Sequence, residues 1–211
     1  DLQEHPGPKS WDTYGGWMDG PQLRGTGFFR VEKHQGRWWL VDPDGSLFWS
    51  HGIDCVRSSS GVTPITDRMH YFEPFPAAGT PEAKFLGQQS WAPQGYYRRF
   101  QGKPYETFNF TGANLLRKYG DGWKEQSQQL AHRRLRSWGL NSIACWSDPD
   151  IYSMRKTPYV VIINVNSRPV EANTGYWGKF ADVFDPAFRE NLRARMAKER
   201  ESSVGDPWCL G

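Results

Sequence analysis

The stretch Tyr159-Val160-Val161-Ile162-Ile163-Asn164-Val165 constrains this chain more than any other. Its apolar side chains do not alternate with polar ones, so an extended backbone here turns oily groups to both faces. Such a strand has to be covered on both sides, which is the situation of a parallel sheet packed between helices. The flanking sequence agrees. Leu140 to Trp146 reads as a second short buried strand, and Leu47 to Val56 as an earlier one, its second half (Gly52-Ile53-Asp54-Cys55-Val56) apolar enough for burial on both faces. Parallel strands are therefore predicted near 50–56, 140–146 and 159–164.

Helical patterns fill the intervals. One helix runs from Gly112 to Tyr119 behind Thr111 and is closed by Gly120. A longer one is capped by Asp121 and runs to Trp138, with Trp123, Leu130, Ala131, Leu135 and Trp138 on one face and Gly139 as its stop. Asp148-Pro149 and Asp185-Pro186 each open a helix, with Asp as cap and Pro in the first turn. Phe188, Leu192 and Met196 then recur at helical spacing, and Trp208-Cys209-Leu210-Gly211 begins another apolar run. Strand and helix in alternation define an α/β chain with a parallel sheet. The expected architecture is a partial (β/α)8 TIM barrel, its first three to four βα units, unless the sheet is open. A closed barrel typically takes about 250 residues.

A small β-meander precedes it: Phe28 to Glu32, a turn at His34-Gln35-Gly36, Arg37 to Val41, and a turn at Asp42-Pro43-Asp44-Gly45. The expected division is an N-terminal arm and meander over residues 1–46 and the first half of the barrel over 47–211. Trp11, Tyr14 and Trp17 are expected to pin the proline- and glycine-broken arm to the body. Residues 57–110 show no steady period and carry many aromatics, among them Tyr71, Phe72, Trp91, Tyr96 and Tyr105. They read as a long loop that builds the wall of a site.

Aromatic residues make up 15% of the chain, with 11 Trp, 9 Tyr and 12 Phe. Flat rings with polar tips fill cores, stack on sugar rings or stack on bases. A net charge of +3 is too mild for an electrostatic nucleic-acid binder, so sugar is the favoured partner. No apolar run approaches the roughly 20 residues of a membrane span. Phosphate-binding loops, zinc-protease helices and nucleophile elbows are missing from the sequence, and His5, His34, His51, His70 and His132 lack ligand spacing. No metal and no cofactor are expected. Cys55, Cys145 and Cys209 read as buried free thiols, or as one disulfide and one thiol. Asn109-Phe110-Thr111 fits a glycosylation sequon.

Sites in parallel α/β folds lie at the carboxyl ends of strands. Those ends carry Asp54 and Arg57, then Trp146 and Asp148, then Asn164, Asn166 and Arg168, with Trp177 nearby. Amides and charges beside indoles suit a polyhydroxylated ligand, and these eight are the candidate substrate-binding residues. Plainer roles compete: Asp148 as a helix cap, Asp54 as the partner of Arg57, Trp146 as barrel core, and Asn164 and Asn166 as loop hydrogen-bonders.

At these residues a family resemblance emerges. Thr26 to Lys33, Gly36 to Gly45 and Phe48-Trp49-Ser50-His51-Gly52 resemble the start of the catalytic domain of β-agarase-like glycoside hydrolases, family 50 and its relatives in the retaining clan A. Arg136 to Ile143 with Trp146-Ser147-Asp148-Pro149 resembles their second barrel strand. Asp182 to Pro186 and Asp206 to Gly211 resemble the approach to the fourth. The resemblance spans about residues 24–211, apart from the variable 57–108. It implies a portion of a retaining hydrolase of β-linked galactan, secreted or periplasmic, with its catalytic Glu pair beyond Gly211 and no catalytic residue within the chain. The alternative is a non-catalytic carbohydrate-binding protein.

Overall fold

The computed structural model describes residues 1–73, 75–92, 95–171 and 179–211. In chain order the elements are β1 (Arg30–His34), β2 (Arg37–Val41), β3 (Leu47–Phe48), β4 (Gly52–Ile53), β5 (Val62–Pro64), β6 (Leu86–Gln89), β7 (Tyr105–Asn109), α1 (Phe110–Tyr119), α2 (Trp123–Ser137), β8 (Ser142–Ile143), α3 (Pro149–Tyr152) and α4 (Pro186–Ser203). The chain divides into two units: residues 1–57, 128–166 and 186–211 form the first, and 58–127 with 167–185 the second.

In the first unit the meander forms as its turns dictate. β1 and β2 pair antiparallel from Arg30 opposite Val41 to His34 opposite Arg37. The hairpin closes through Gln35 and Gly36, both at positive φ (48° and 80°), as a tight two-residue turn requires. β3 adds to β2 with Val41 opposite Leu47. Between them the Asp42 carboxylate accepts the backbone N–H groups of Asp44, Gly45 and Ser46 through Oδ1, at 3.0, 2.8 and 2.9 Å. The arm is pinned as expected at Tyr14, whose ring meets Phe29 and Trp208. Trp17 instead anchors through its backbone, donating to Leu47 O at 2.8 Å, while its ring stays about half exposed.

The single strand expected over 47–56 is two strands in two sheets. β3 belongs to the meander, while β4 pairs parallel with β8, Gly52 opposite Ser142 and Ile53 opposite Ile143. Peptide groups at such a handover lose their ladder and need other partners. The buried Asn141 amide supplies them: its Oδ1 accepts from His51 N at 2.8 Å, and its Nδ2 donates to Trp49 O and Gly15 O, both at 3.0 Å. Gly52 is required where the strands approach, since a β-carbon there would stand 2.3 Å from Ser142 O.

Parallel pairing continues by bridges from Ile143 to Tyr159 and from Tyr159 to Cys209. The rank is therefore β4, β8, Tyr159 and Cys209, each step parallel, as the alternation predicted. The regular strands are shorter than expected, however, and no closed barrel is seen among the described residues. Leu135 of α2, Ile143, Ile151 of α3 and Tyr159 form the buried core on one side, with Trp208 and Cys209 packed against it. Leu135, Ile143 and Ile151 each contribute about 1.5–3 kcal/mol by leaving water. Ile53 is 44% exposed, so the two-sided burial expected of 52–56 is absent, because the core lies on one face only.

His132 is buried on α2, with Nδ1 2.9 Å from Thr157 Oγ1 and Nε2 3.0 Å from Ile151 O. Trp138, expected on the apolar face of α2, lies past its end and is exposed. Asp121 sits within a 3-10 turn, Gly120–Gly122, ahead of α2 rather than capping it. The glycines at 120 and 139, both at positive φ, follow the helices as predicted. All three cysteines are free and half-buried.

The second unit overturns the loop reading of 57–110. β5, β7 and β6 form a three-stranded antiparallel sheet, with Thr63 and Leu86 both opposite Phe108. Ile65, Phe108 and Ala113 are its core, lined by Phe72, Phe75, Phe85 and Phe110. Ala92, Tyr97 and Tyr105 form a second cluster. Most of these aromatics therefore pack on one another instead of lining a wall, because a unit with so few strand residues needs large side chains to make a core. Asn109 is the N-cap of α1, its Oδ1 accepting from Gly112 N at 3.0 Å; Thr111 lies within the helix.

Candidate functional site

The carboxyl ends of β4 and β8 stay bonded beyond the regular strands. Ala144 N donates to Ile53 O at 2.9 Å, Cys55 N to Cys145 O at 2.8 Å, and Asp148 N to Val56 O at 3.0 Å. Ser147 Oγ joins them, accepting from Val56 N at 3.0 Å and donating to Ala144 O at 2.9 Å. At this level both strands take a conformation rare for side-chain-bearing residues: Cys55 has φ 59° and Trp146 φ 57°. At this bend Trp146 is 61% exposed among the described residues. Strained positions of this kind concentrate at functional sites.

Asp54 and Asp148 stand on the same two strand ends. Asp54 is exposed, and Arg57 is exposed at the end of the unit. Asp148 occupies the N-cap of α3, ahead of Pro149 at the first position, though its side chain makes no capping bond. The stretch after the Tyr159 bridge carries Asn164 and Asn166, both exposed; the Asn166 carbonyl accepts from Asn191 Nδ2 at 2.6 Å. Arg168 belongs to the second unit, where its guanidinium meets Asp182 at 3.1 Å and its N–H donates to Asp185. Trp177 lies outside the described residues. Backbone bonds thus set the stretches carrying Asp54, Trp146 and Asp148 side by side, while Asn164 follows five residues after the Tyr159 bridge. Reasoning from sequence placed Ser147 at the strand end with Trp146 and Asp148 but did not foresee its backbone bonds, nor the positive φ of Cys55.

Two other features of the first unit compete for attention. A cavity of about 320 Å³ is lined by Trp11, His132, Arg133, Arg136, Lys156 and Pro158. Asn141 and Pro158 precede their strands, so it lies at the amino ends of the rank, opposite to where ligands bind in such folds. The second is a pair of buried carboxyls. Asp12 Oδ1 accepts from Tyr14 N and Gly16 N at 2.9 and 2.8 Å. With Asp42 Oδ1 likewise filled by N–H groups, the two Oδ2 atoms are left facing each other without a donor. Burial and then the neighbouring Asp12 push the Asp42 carboxyl up to about 7. Burial also opposes ionisation of Asp12, but hydrogen bonds from Asp42, Ser46, Gly16 and Tyr14 outweigh it and hold that carboxyl below its usual range. This pair joins the arm to the meander, away from the strand ends. Asp1, Glu4 and His5 bring possible metal-ligand atoms within 4.8 Å of one another, all exposed.

No protein-family model matches the chain. It is 34% identical over 223 residues to β-agarase B of Vibrio sp. strain JT0107, aligning 94% of this chain with 23% of that protein. To β-agarase A of the same organism it is 28% identical over 194 residues, covering 84% of this chain and 18% of the relative. The chain therefore spans about a quarter or less of the curated relatives it matches. Among solved structures, an agarase, AgWH50C, superimposes on the whole chain with a TM-score of 0.82 at 27% identity, using 32% of its own length. PfGH50B matches 98% of the chain at 30% identity and TM-score 0.82, again over 32% of its length. An exo-β-agarase matches all of it at 25% identity and TM-score 0.81, over 35% of its length.

Proposed function

We propose, from the premise that this chain is a homologue of the β-agarases, that it is a portion of a retaining glycoside hydrolase acting on agar-type, β-linked galactan. The parallel rank from β4 to Cys209 supplies the opening strands of a (β/α)8 barrel in this reading. The pair of carboxylates that retention needs, about 5–5.5 Å apart, comes from sequence outside these residues. A polymeric substrate acts outside the cytoplasm, so the protein is secreted or periplasmic.

Within the chain, Trp146 offers its indole to a galactose ring, while Asp54 and Asp148 accept from its hydroxyls. Arg57 and Asn164 flank them. The observation that carries this reading is the paired positive-φ geometry of Cys55 and Trp146, which holds an exposed indole where ligands of parallel α/β folds bind. Retardation in agarose gels and titration with agaro-oligosaccharides, followed by Trp fluorescence, test it. Trp146→Ala is expected to weaken binding by about threefold to tenfold, the worth of one aromatic contact. Undiminished binding by that variant would remove Trp146 from the site.

A further inference from the structure

The β1–β2 hairpin holds a second place suited to sugar, made from the first 57 residues alone. Strand alternation puts His34, Arg37 and Trp39 on one face, because His34 pairs with Arg37 and Glu32 with Trp39. The arm brings Trp17 and Pro21 alongside, and together with Gln35 these residues line a cavity of about 400 Å³. That lies within the range of small-ligand sites. Trp17 is fixed in place: its backbone N–H donates to Leu47 O, and Gly20 lies so close against the indole that a β-carbon there would stand 2.4 Å from the ring.

The polar groups of the cavity point to a ligand. His34 closes the wall of the cavity beside Arg37 and Trp39, its Nε2 sealed from solvent. Gln35 and Arg37 are exposed, with no partner for either side chain among the described residues. Gln35 also holds a positive φ of 48°. Two indoles, an amide and a guanidinium match a pyranose, whose C–H face stacks while its hydroxyls take planar polar partners.

We propose that this cavity is an auxiliary galactan-binding site, which holds the polysaccharide away from the carboxyl ends of the parallel strands. The proposal rests on the agar-type substrate proposed above. The ring stacks on Trp39 or Trp17, and Arg37 and Gln35 grip neighbouring hydroxyls.

Gel retardation of the protein in agarose, against a dextran gel as control, tests the site with Arg37→Ala, Trp39→Ala and Trp146→Ala. Arg37 is exposed, so its variant keeps the fold; if Trp39→Ala loses its near-ultraviolet dichroism, Arg37→Ala alone decides. The expected result is that Arg37→Ala and Trp39→Ala each cut retardation by about threefold to tenfold, and that either adds to the loss from Trp146→Ala. Loss with Trp146→Ala alone overturns the auxiliary site and leaves the strand-end site standing. Loss with the hairpin variants alone supports the auxiliary site and removes Trp146. A wild-type protein that agarose does not retard overturns both.

Discussion

The buried Asp12–Asp42 pair makes the stability of this chain depend on pH in a way that one substitution removes. In the folded chain Asp42 keeps a proton up to about pH 7, whereas its ordinary value is 3.8. Between those limits the folded state binds one proton more than the unfolded state. A raised value contributes stability that is whole below the unfolded value and is lost as pH rises through the folded one. Each pH unit costs about 1.4 kcal/mol, so going from pH 5 to pH 8 costs about 2–3 kcal/mol. For a chain of this size that lowers Tm by about 5–10 °C. Asp12, whose value is lowered, acts only below 3.8, outside this window. Tyr14, raised by burial and then by Asp44, Asp42, Asp12 and Asp206, acts only above 10. Asp42→Asn keeps the Oδ1 that accepts three N–H groups and presents a permanent donor to Asp12. The variant should match the wild type at pH 5 and exceed it at pH 8 by most of that margin. Thermal unfolding of both proteins across the range reads the difference, in which titrations common to both cancel. Parallel curves would refute a shared proton.

Gly16→Ala puts a β-carbon 2.1 Å from Asp42 Oδ2 and 2.9 Å from Ser46 Cβ; a loss of about 1–3 kcal/mol should appear in urea unfolding. Ile143→Ala empties the centre of the first core and should cost about 2–5 kcal/mol, by the same measurement. Phe108→Ala should cost about 3–5 kcal/mol and speed proteolysis within 58–127 in particular. His132 is held below its usual value, chiefly by burial, so it contributes stability that is present above 6.5 and lost as pH falls; denaturation midpoints of the Asp42→Asn variant between pH 7 and 5 should show that decline.

The order of elements was legible because alternation and capping are local. Arg37 to Val41, the glycine stops at 120 and 139, and the prolines opening α3 and α4 stand where the sequence put them. The handover at 49–51 was not legible, since continuous apolarity cannot reveal a change of sheet; only the distant Asn141 amide marks it. Residues 58–110 failed for a related reason. Their strands pair with few residues and owe their core to interlocking aromatics, so no period shows in the sequence. Of the candidate site, Asp54, Trp146 and Asp148 could be read from their place after strands. Arg168 could not, because its ion pair with Asp182 depends on a fold-back that sequence spacing does not display.

Cys55 and Trp146 share one further property. Each holds a positive φ that glycine adopts freely and that costs other residues about 1–2 kcal/mol. A library of variants screened only for solubility or heat resistance would therefore drift toward glycine at both positions. The survivors would be sturdier at these two positions, and at position 146 they would carry no ring at all. On the proposed role of Trp146, selection for durability and selection for ligand pull this backbone in opposite directions, so any campaign to toughen the protein needs a binding screen running beside it.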